Sequence, residues 1–267
     1  MDNYPKILII AGSDSGGGAG IQADIKTVTC LGGYAMTAIT ALTAQNTLGV
    51  DGILDIDEEF IAKQIKITLS DIGADAIKTG MLNKQNVIET VADTLLEYPH
   101  IPLILDPVMF AKGGSCLLPP SALTALKEKL IPKALIITPN IPEAEYLSGI
   151  TINNIDDMKK AARKILTFGC KAVLLKSGHL KSDRITDLLL TEDGENIIEH
   201  ERIASKNTHG TGCTLASAIA YGIGSSMSLE NSVKQAENYV LQAIKSAYDI
   251  GHGHGPLNHN YMINHIL

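Results

Sequence analysis

Apolar runs of strand length alternate along this chain with segments whose apolar residues recur at helical spacing. The runs predict strands over Lys6–Ala11, Tyr34–Thr43, Ala74–Thr79, Leu103–Asp106, Ala134–Thr138, Ala172–Lys176 and Asp187–Thr191. The periodic segments predict helices over Gly20–Leu31, Glu58–Ser70, Lys84–Glu97, Ser121–Leu130, Ile155–Phe168, Thr211–Gly224 and Leu229–Tyr248. Several strands are continuously apolar rather than alternating, which marks burial on both faces, as in a parallel sheet covered by helices. Strand–helix repetition implies right-handed βαβ units. The stretch Asp187–Glu195 with Asn196–Arg202 reads as a hairpin turning at Asp193-Gly194, and the last two helices follow without a strand between them. No linker, low-complexity tract or repeat divides the chain. The expected fold is α/β: a doubly wound, mainly parallel central sheet flanked by helices, in a single domain over residues 1–267. Ligands of such sheets bind beyond the carboxyl ends of the strands, so a motif gains weight when it follows one.

Composition narrows the function. The net charge of −7 comes without a basic tract, which argues against a nucleic-acid partner. Aromatic residues make up 4% and Trp is absent, so base-stacking platforms are not expected either. No segment reaches the ~18 consecutive apolar residues of a membrane span. The opening Met1–Lys6 lacks a basic region, and the apolar run after it is short for a signal peptide. Cys30, Cys116, Cys170 and Cys213 form neither a C-x-x-C pair nor a zinc spacing. A reduced, cytoplasmic setting is expected.

The stretch Lys206-Asn-Thr-His-Gly-Thr-Gly-Cys213 leads into the small-residue run Thr214-Leu-Ala-Ser-Ala-Ile-Ala220. Two glycines bracket a threonine where a helix should begin. First-turn N–H groups lack intrahelical partners and carry the positive end of the helix dipole, and glycines let a phosphate approach the backbone. Cys213 in that first turn is expected to have a lowered thiol pKa. The arrangement suits stabilisation of charge on a transferring phosphoryl group; a glycine turn before a buried helix, with Cys213 as a small apolar side chain, is the plainer alternative.

Other strand ends carry further chemistry. The loop Ala11–Gly20 is glycine-dense and contains Gly18-Ala-Gly-Ile-Gln-Ala23, a formal dinucleotide fingerprint. It is discounted, because the match lies past the strand end and no carboxylate closes the second strand. A loop closing over a small substrate and an ordinary flexible turn both remain open. There is no G-K-[ST], so a P-loop is excluded. Gln45, with an amide that both donates and accepts, suits a heterocycle edge or a solvated loop. Asp106 ends a strand and is kept extended by Pro107, while Glu143 follows the next strand. Together they can hold Mg²⁺ beside triphosphate oxygens, or serve as turn and cap acids. Lys176 ends a buried strand and needs an anionic partner, a phosphate or a carboxylate. Met81 can wall an apolar pocket or belong to the core. The tail Gly251-His-Gly-His-Gly-Pro-Leu-Asn-His259 is read as a structural turn in preference to a metal site, since its alternating glycines need conformational freedom.

Taken in order, Ala11–Lys26, Thr40–Thr47, Lys78–Leu82, Leu105–Met109, Thr138–Glu143, Lys176–His179, Lys206–Cys213 and the Gly251–His259 tail resemble the ribokinase-like superfamily. The resemblance is specifically to its hydroxymethylpyrimidine/phosphomethylpyrimidine kinase branch, and it covers essentially the whole chain. It implies ATP-dependent phosphorylation of 4-amino-5-hydroxymethyl-2-methylpyrimidine, then of its monophosphate, in thiamine biosynthesis, with ATP and Mg²⁺ required and a homodimer expected. It implies Gly210, Thr211, Gly212 and Cys213 as anion hole and base, Cys213 standing where most sugar kinases of the superfamily have aspartate. It further implies Gln45, Gly12, Asp24 and Met81 at the pyrimidine, Lys176, Thr186, Thr208 and Asn140 near the nucleotide, and Asp106 and Glu143 at the metal. Pyridoxal kinase, whose substrate also carries a hydroxymethyl group on an aromatic ring, is the nearest alternative. A non-catalytic ligand-binding protein on the same fold is another.

Overall fold

The computed structural model describes residues 4–109, 118–178 and 184–263. Cys116 and His179, the last residue of the Lys176-Ser-Gly-His179 motif, lie outside them. Nine strands form one sheet in the order β3-β2-β1-β4-β5-β6-β7-β8-β9. They are β1 Lys6–Asp14, β2 Tyr34–Gln45, β3 Val50–Asp55, β4 Ala76–Thr79, β5 Leu103–Leu105, β6 Ala134–Ile137, β7 Ala172–Leu175, β8 Arg184–Thr191 and β9 Glu195–Glu201. The six strands from β2 to β7 run parallel, and β3, β8 and β9 are added antiparallel at the two edges. The α/β, mainly parallel expectation therefore holds. The chain moves from β1 outward to β2, then returns to β4 on the other side of β1. That reversal places the topological switch point between the carboxyl ends of β1 and β4, where open sheets bind ligands.

Helices cover both faces. On one, α2 (Glu58–Asp71), α3 (Gln85–Leu95), α4 (Pro120–Ala125), α5 (Ile141–Ser148) and α6 (Ile155–Leu166) pack against Leu8, Ile10, Ile77, Leu105, Ile137 and Leu175. On the other, α1 (Gly20–Cys30), α7 (Thr211–Gly224) and α8 (Leu229–Lys245) cover Ile7, Ile9, Ile104, Ile136 and Leu174. Neighbouring residues of one strand thus feed opposite cores, which is why the runs are continuously apolar. Leu215 and Ile219 of α7 are buried in the second core, each contributing about 1.5–3 kcal/mol. Among the described residues no helix is long and apolar enough to cross a membrane.

Four elements depart from the pattern reading, and α5 lies outside the predicted helices. Strands β1 and β2 run on to Asp14 and Gln45, past their predicted ends, because a register shift between Ala11 and Ser13 lets them stay paired. Strand β3 was not predicted: it carries Asp51 and Gly52 and is exposed along most of its length, pairing with the overhanging end of β2. The helix expected over Ser121–Leu130 is α-helical to Ala125 and then forms a π turn over Leu126–Leu130 and a 3₁₀ turn over Ile131–Lys133, where Pro132 cannot continue the ladder. The β8–β9 hairpin turns at Asp193-Gly194 as expected, with Thr191 N–H donating to Gly194 O at 2.9 Å.

Candidate functional site

The start of α7 is built by contact between two glycine loops from opposite ends of the chain. Gly210 caps α7 with φ +85°, a left-handed conformation that favours glycine. A Cβ there would lie 1.9 Å from Gly18 O, so the backbone of the first loop fills the space. Gly18 in turn accommodates the ring of His209, and Gly20 (φ +54°) packs on Gly12 O. The first intrahelical bond of α7 is Thr214 N–H to Gly210 O at 2.9 Å, so the amides of Thr211, Gly212 and Cys213 precede the ladder and face the strand ends. The Thr211 hydroxyl donates to Thr208 O at 3.1 Å and fixes the turn.

Asp14 holds the first loop in shape. Its carboxylate accepts from the amides of Gly16 (2.8 Å), Gly18 (3.1 Å) and Ala19 (2.8 Å) and meets His209 Nε2 at 3.0 Å. Burial opposes its charge, but His209 and the loop amides outweigh burial and hold its pKa below the ordinary value. Gln45 joins the same group: its Nε2 lies 3.2 Å from His209 Nε2, and its Oε1 accepts from the Thr43 hydroxyl at 3.1 Å. Gln45 is therefore anchored rather than free in solvent. Met81 packs on Gly12, its Cε standing where a Cβ at Gly12 would go. Both sit at the switch point, and the Thr40 hydroxyl donates to Met81 O at 2.8 Å. Neither Asp14 nor His209 stood out in the sequence, although Asp followed by a glycine run is an Asx-turn signal.

Beside the start of α7 stands a charged group from three adjacent strand ends. Lys176 Nζ is 3.5 Å from Asp106 Oδ1, and the Thr138 hydroxyl donates to the same oxygen at 3.3 Å. A Cβ built on Gly212 would be 3.4 Å from Lys176 Nζ and 3.8 Å from Asp106 Oδ2, so glycine keeps this space open. The partner required by the buried Lys176 is thus a carboxylate of the protein. Burial works against the Lys176 charge, and Asp106, Glu143 and Asp187 more than restore it, raising its pKa. Asn140 and Glu143 close a capping box on α5, with Asn140 N–H to Glu143 Oε2 at 2.9 Å and Glu143 N–H to Asn140 Oδ1 at 3.0 Å. Glu143 is a cap acid and also a neighbour of Lys176 and Asp106. Burial pushes its carboxyl up to about 7, Lys176 opposing and Asp106 adding to the rise. Thr186 connects to this group through Ser177, whose hydroxyl accepts the Thr186 N–H at 2.7 Å.

Asp24 lies beneath the loops. It is fully buried on α1, paired with Lys78 Nζ at 2.8 Å and bonded by the Ser217 hydroxyl at 2.6 Å. Lys78 is the penultimate residue of β4, close enough to Cys213 for their charges to interact. Burial disfavours its charge, but Asp24, then Cys213 and Asp106, raise its pKa on balance. The expectation of a depressed Cys213 thiol is overturned: burial pushes it up to about 12, outweighing Lys78 and a backbone hydrogen bond from Gly20. Helix-start amides act on a thiolate, but they do not offset loss of water around it. Cys213 still keeps partial access to solvent from the open side of the site.

The tail is a clamp, consistent with a structural turn. His254 N–H donates to Thr47 O at 2.9 Å, His209 N–H to Gly255 O at 3.0 Å, and Gly253 and Gly255 pack so closely on Thr47 and Asn207 that a Cβ would collide with either. His259 Nε2 meets the Thr214 hydroxyl at 2.9 Å. The tail thus ties the loop after Gln45 to the segment leading into the start of α7.

Comparison with known proteins agrees with this geometry. Residues 14–258 match the family model described as phosphomethylpyrimidine kinase. The hydroxymethylpyrimidine/phosphomethylpyrimidine kinase of Bacillus subtilis is 49% identical over 95% of this chain and 94% of its own length. A thiamine biosynthesis bifunctional protein of Geobacter sulfurreducens is 48% identical over 95% of this chain, which spans 52% of that longer protein. A pyridoxal kinase of Bacillus subtilis, solved as an ADP complex, superposes with a TM-score of 0.90 at 35% identity, covering 98% of this chain and all of the other. With a family model spanning nearly the whole chain and a relative of almost equal length at this identity, the chain belongs to the phosphomethylpyrimidine kinase family.

Proposed function

We propose that this chain transfers the terminal phosphoryl group of ATP to the hydroxymethyl oxygen of 4-amino-5-hydroxymethyl-2-methylpyrimidine, and then phosphorylates the resulting monophosphate to the diphosphate, as a thiamine-pathway kinase. The observation that carries this reading is the meeting of an anion-binding helix start with the Lys176–Asp106 pair, one loop away from the switch-point pocket of Gly12, Met81 and Gln45. The pyrimidine would rest against Gly12 and Met81, its ring nitrogen and amino group facing the Gln45 amide. Asp24 supports that pocket from below through Lys78 and Ser217. Lys176, Asn140, Thr186 and Thr208 border the nucleotide side.

Phosphoryl transfer depends on alignment and charge neutralisation more than on covalent chemistry. The hydroxymethyl oxygen attacks the terminal phosphorus in line with the departing ADP oxygen. The amides of Thr211, Gly212 and Cys213 receive the equatorial oxygens in the space that glycine 212 leaves open. The hydroxymethyl proton would pass to the Cys213 sulfur once the thiol proton has left to solvent through the open side of the site; burial, which pushes the thiol up to about 12, opposes that loss, and Lys78 favours it. The donor set fits Mg²⁺, which takes carboxylate oxygens: Asp106 Oδ2 borders the open space, and Glu143 lies beside it. Asp106 and Glu143 would hold the ion, which supplies neutralisation of phosphate charge.

A pyridoxal kinase reading has its own support in the neighbour with a TM-score of 0.90. ADP release with Mg-ATP and, separately, the hydroxymethylpyrimidine, its monophosphate and pyridoxal distinguishes the two. Turnover of both pyrimidines supports the proposal, turnover of pyridoxal alone replaces it, and silence on all three from folded protein refutes kinase activity. A kinase drawing on cellular ATP belongs in the cytoplasm. A homodimer is supported by apolar side chains left open on the β2–β3 extension, Leu48 at 72% and Leu54 at 64% exposure, and light scattering of the Leu54→Asp variant tests it.

A further inference from the structure

On the far side of Lys176 from Asp106, three titratable side chains converge between α8 and the β8–β9 hairpin. Asp187 of β8 pairs in register with Ile198 of β9, and His200 lies two residues further along β9. Antiparallel pairing with a period of two therefore puts Asp187 and His200 on one face of the hairpin, as diagonal neighbours. That is the covered face: Asn196, Ile198 and His200 are half-buried, while Glu195, Ile197 and Glu199 are exposed. Leu189 and Ile198 on it pack with Val233, Ala236 and Tyr239 of α8. Glu237, next to Ala236 on that helix, completes the group. One ligand atom from each of Asp187, His200 and Glu237 lies within 4.8 Å of the other two.

The chemistry of this group is unbalanced. Asp187 Oδ1 accepts the Ser177 N–H at 2.6 Å, which satisfies one oxygen of one carboxylate. Glu237 Oε1 is shut off from solvent and has no hydrogen-bond partner among the described residues. Two carboxylates are acceptors when ionised and repel each other at this range, so buried Asp187 and half-buried Glu237 call for a cation or a proton between them. Lys176 lies near enough to act on both carboxylates, but it is already paired with Asp106. A divalent ion would neutralise both carboxylates at once, and imidazole beside them is the donor that distinguishes transition ions from Mg²⁺ or Ca²⁺. Half-buried His200 offers an entry path from solvent.

We propose that Asp187, His200 and Glu237 form a divalent transition-metal site, of the Zn²⁺ or Co²⁺ class, which fastens α8 to the β8–β9 hairpin. The ion ties α8 to a hydrogen-bonded strand pair on which it packs with apolar side chains, so its binding stabilises the folded chain by mass action. It lies behind Lys176, one residue from the Ser177 amide that bonds Asp187, and is separate from Asp106 and Glu143.

The test is a titration of chelator-treated full-length protein with Co²⁺, in millimolar Mg²⁺ to occupy oxygen-only sites. The expected result is one Co²⁺ per chain with visible ligand-field absorption, displaced by Zn²⁺, and a Zn²⁺-dependent rise in Tm. His200→Gln and Glu237→Gln, both neutral and close in shape, should weaken binding at least about tenfold while far-ultraviolet circular dichroism stays native. A double variant of the tail, His252→Gln with His254→Gln, should bind as the parent does. No Co²⁺ uptake by the parent would overturn the proposal and leave a shared proton between Asp187 and Glu237. Uptake unchanged by both single variants, or lost in the tail variant, would overturn it as well.

Discussion

Replacing Gly210 by alanine tests whether the two glycine loops act as one assembly. A residue with a Cβ held at φ +85° costs about 1–2 kcal/mol. The added carbon would also sit 1.9 Å from Gly18 O, about 1.5 Å inside ordinary contact. Neither partner is the end of a flexible side chain, so one loop must withdraw. A total loss of about 2–4 kcal/mol is expected, which lowers Tm on the order of 5–15 °C for a chain of this size. Displacement of the helix-start amides by an ångström or more should reduce kcat about 10²–10³-fold. Gly212→Ala is the comparison. Its nearest atoms would be 3.4 Å to 3.9 Å away, so the fold accepts the methyl group, but the methyl projects toward the space between Lys176 and Asp106. Gly212→Ala should keep Tm within about 2 °C and still lose about 10²-fold in turnover. Thermal melts and ADP release on the same preparations give both numbers. Normal turnover in Gly210→Ala, or an equal loss of Tm in the two variants, would refute the interlocked-loop account.

Other outcomes follow from the same geometry. Cys213→Ala should lower kcat by about 10²–10⁴-fold with nucleotide KM little changed, and near-parent turnover would remove the thiol from the chemistry. Gln45→Ala should chiefly raise the pyrimidine KM; an unchanged KM would mean that the His209 contact is the side chain's main task. Lys78→Met strands the buried Asp24 and should cost about 3–5 kcal/mol in urea denaturation, partly recovered by adding Asp24→Asn. Burial lowers the His259 pKa to about 4, with Lys26 adding to the effect. The folded state therefore holds this ring neutral, and its contribution to stability is present above the unfolded value of about 6.5 and disappears as pH falls toward 4. Parent stability should drop by about 3 kcal/mol more than that of His259→Gln between pH 7.5 and pH 4, so parallel pH profiles would count against it.

Where a side chain's role depends on its own strand, the sequence could be read directly. Asp106 and Lys176 close continuous apolar runs, and burial at a strand end is a local property. Gly210 and Gly212 announce a tight helix entry by spacing alone. Lys78 was equally visible as a charge in an apolar strand, but its partner Asp24 is 54 residues away on α1, a distance that only the packed sheet closes. Asp14 and His209 are 195 residues apart and meet because β1 and the start of α7 share one end of the sheet. Strand β3 escaped notice because an edge strand open to water needs no apolar pattern. The thiol of Cys213 was misjudged because its helix dipole is local and readable, whereas the burial that overrides it, with the charges of Asp24 and Asp106 adding to the rise, comes from the packed fold.

The helix that carries the anion hole also has a consequence for biogenesis. Strands β1, β4, β5 and β6 are all synthesised by residue 137, yet Ile7, Ile9, Ile104 and Ile136 on one face are covered largely by α7 and α8, which begin at Thr211 and Leu229. At about 5–20 residues per second, a ribosome exposes that apolar face for several seconds before its cover emerges. The nascent chain is then an open half-sandwich with a greasy side, the kind of transiently exposed surface that invites aggregation until it is covered. Catalytic competence and relief of that exposure arrive together, with the same fourteen-residue helix.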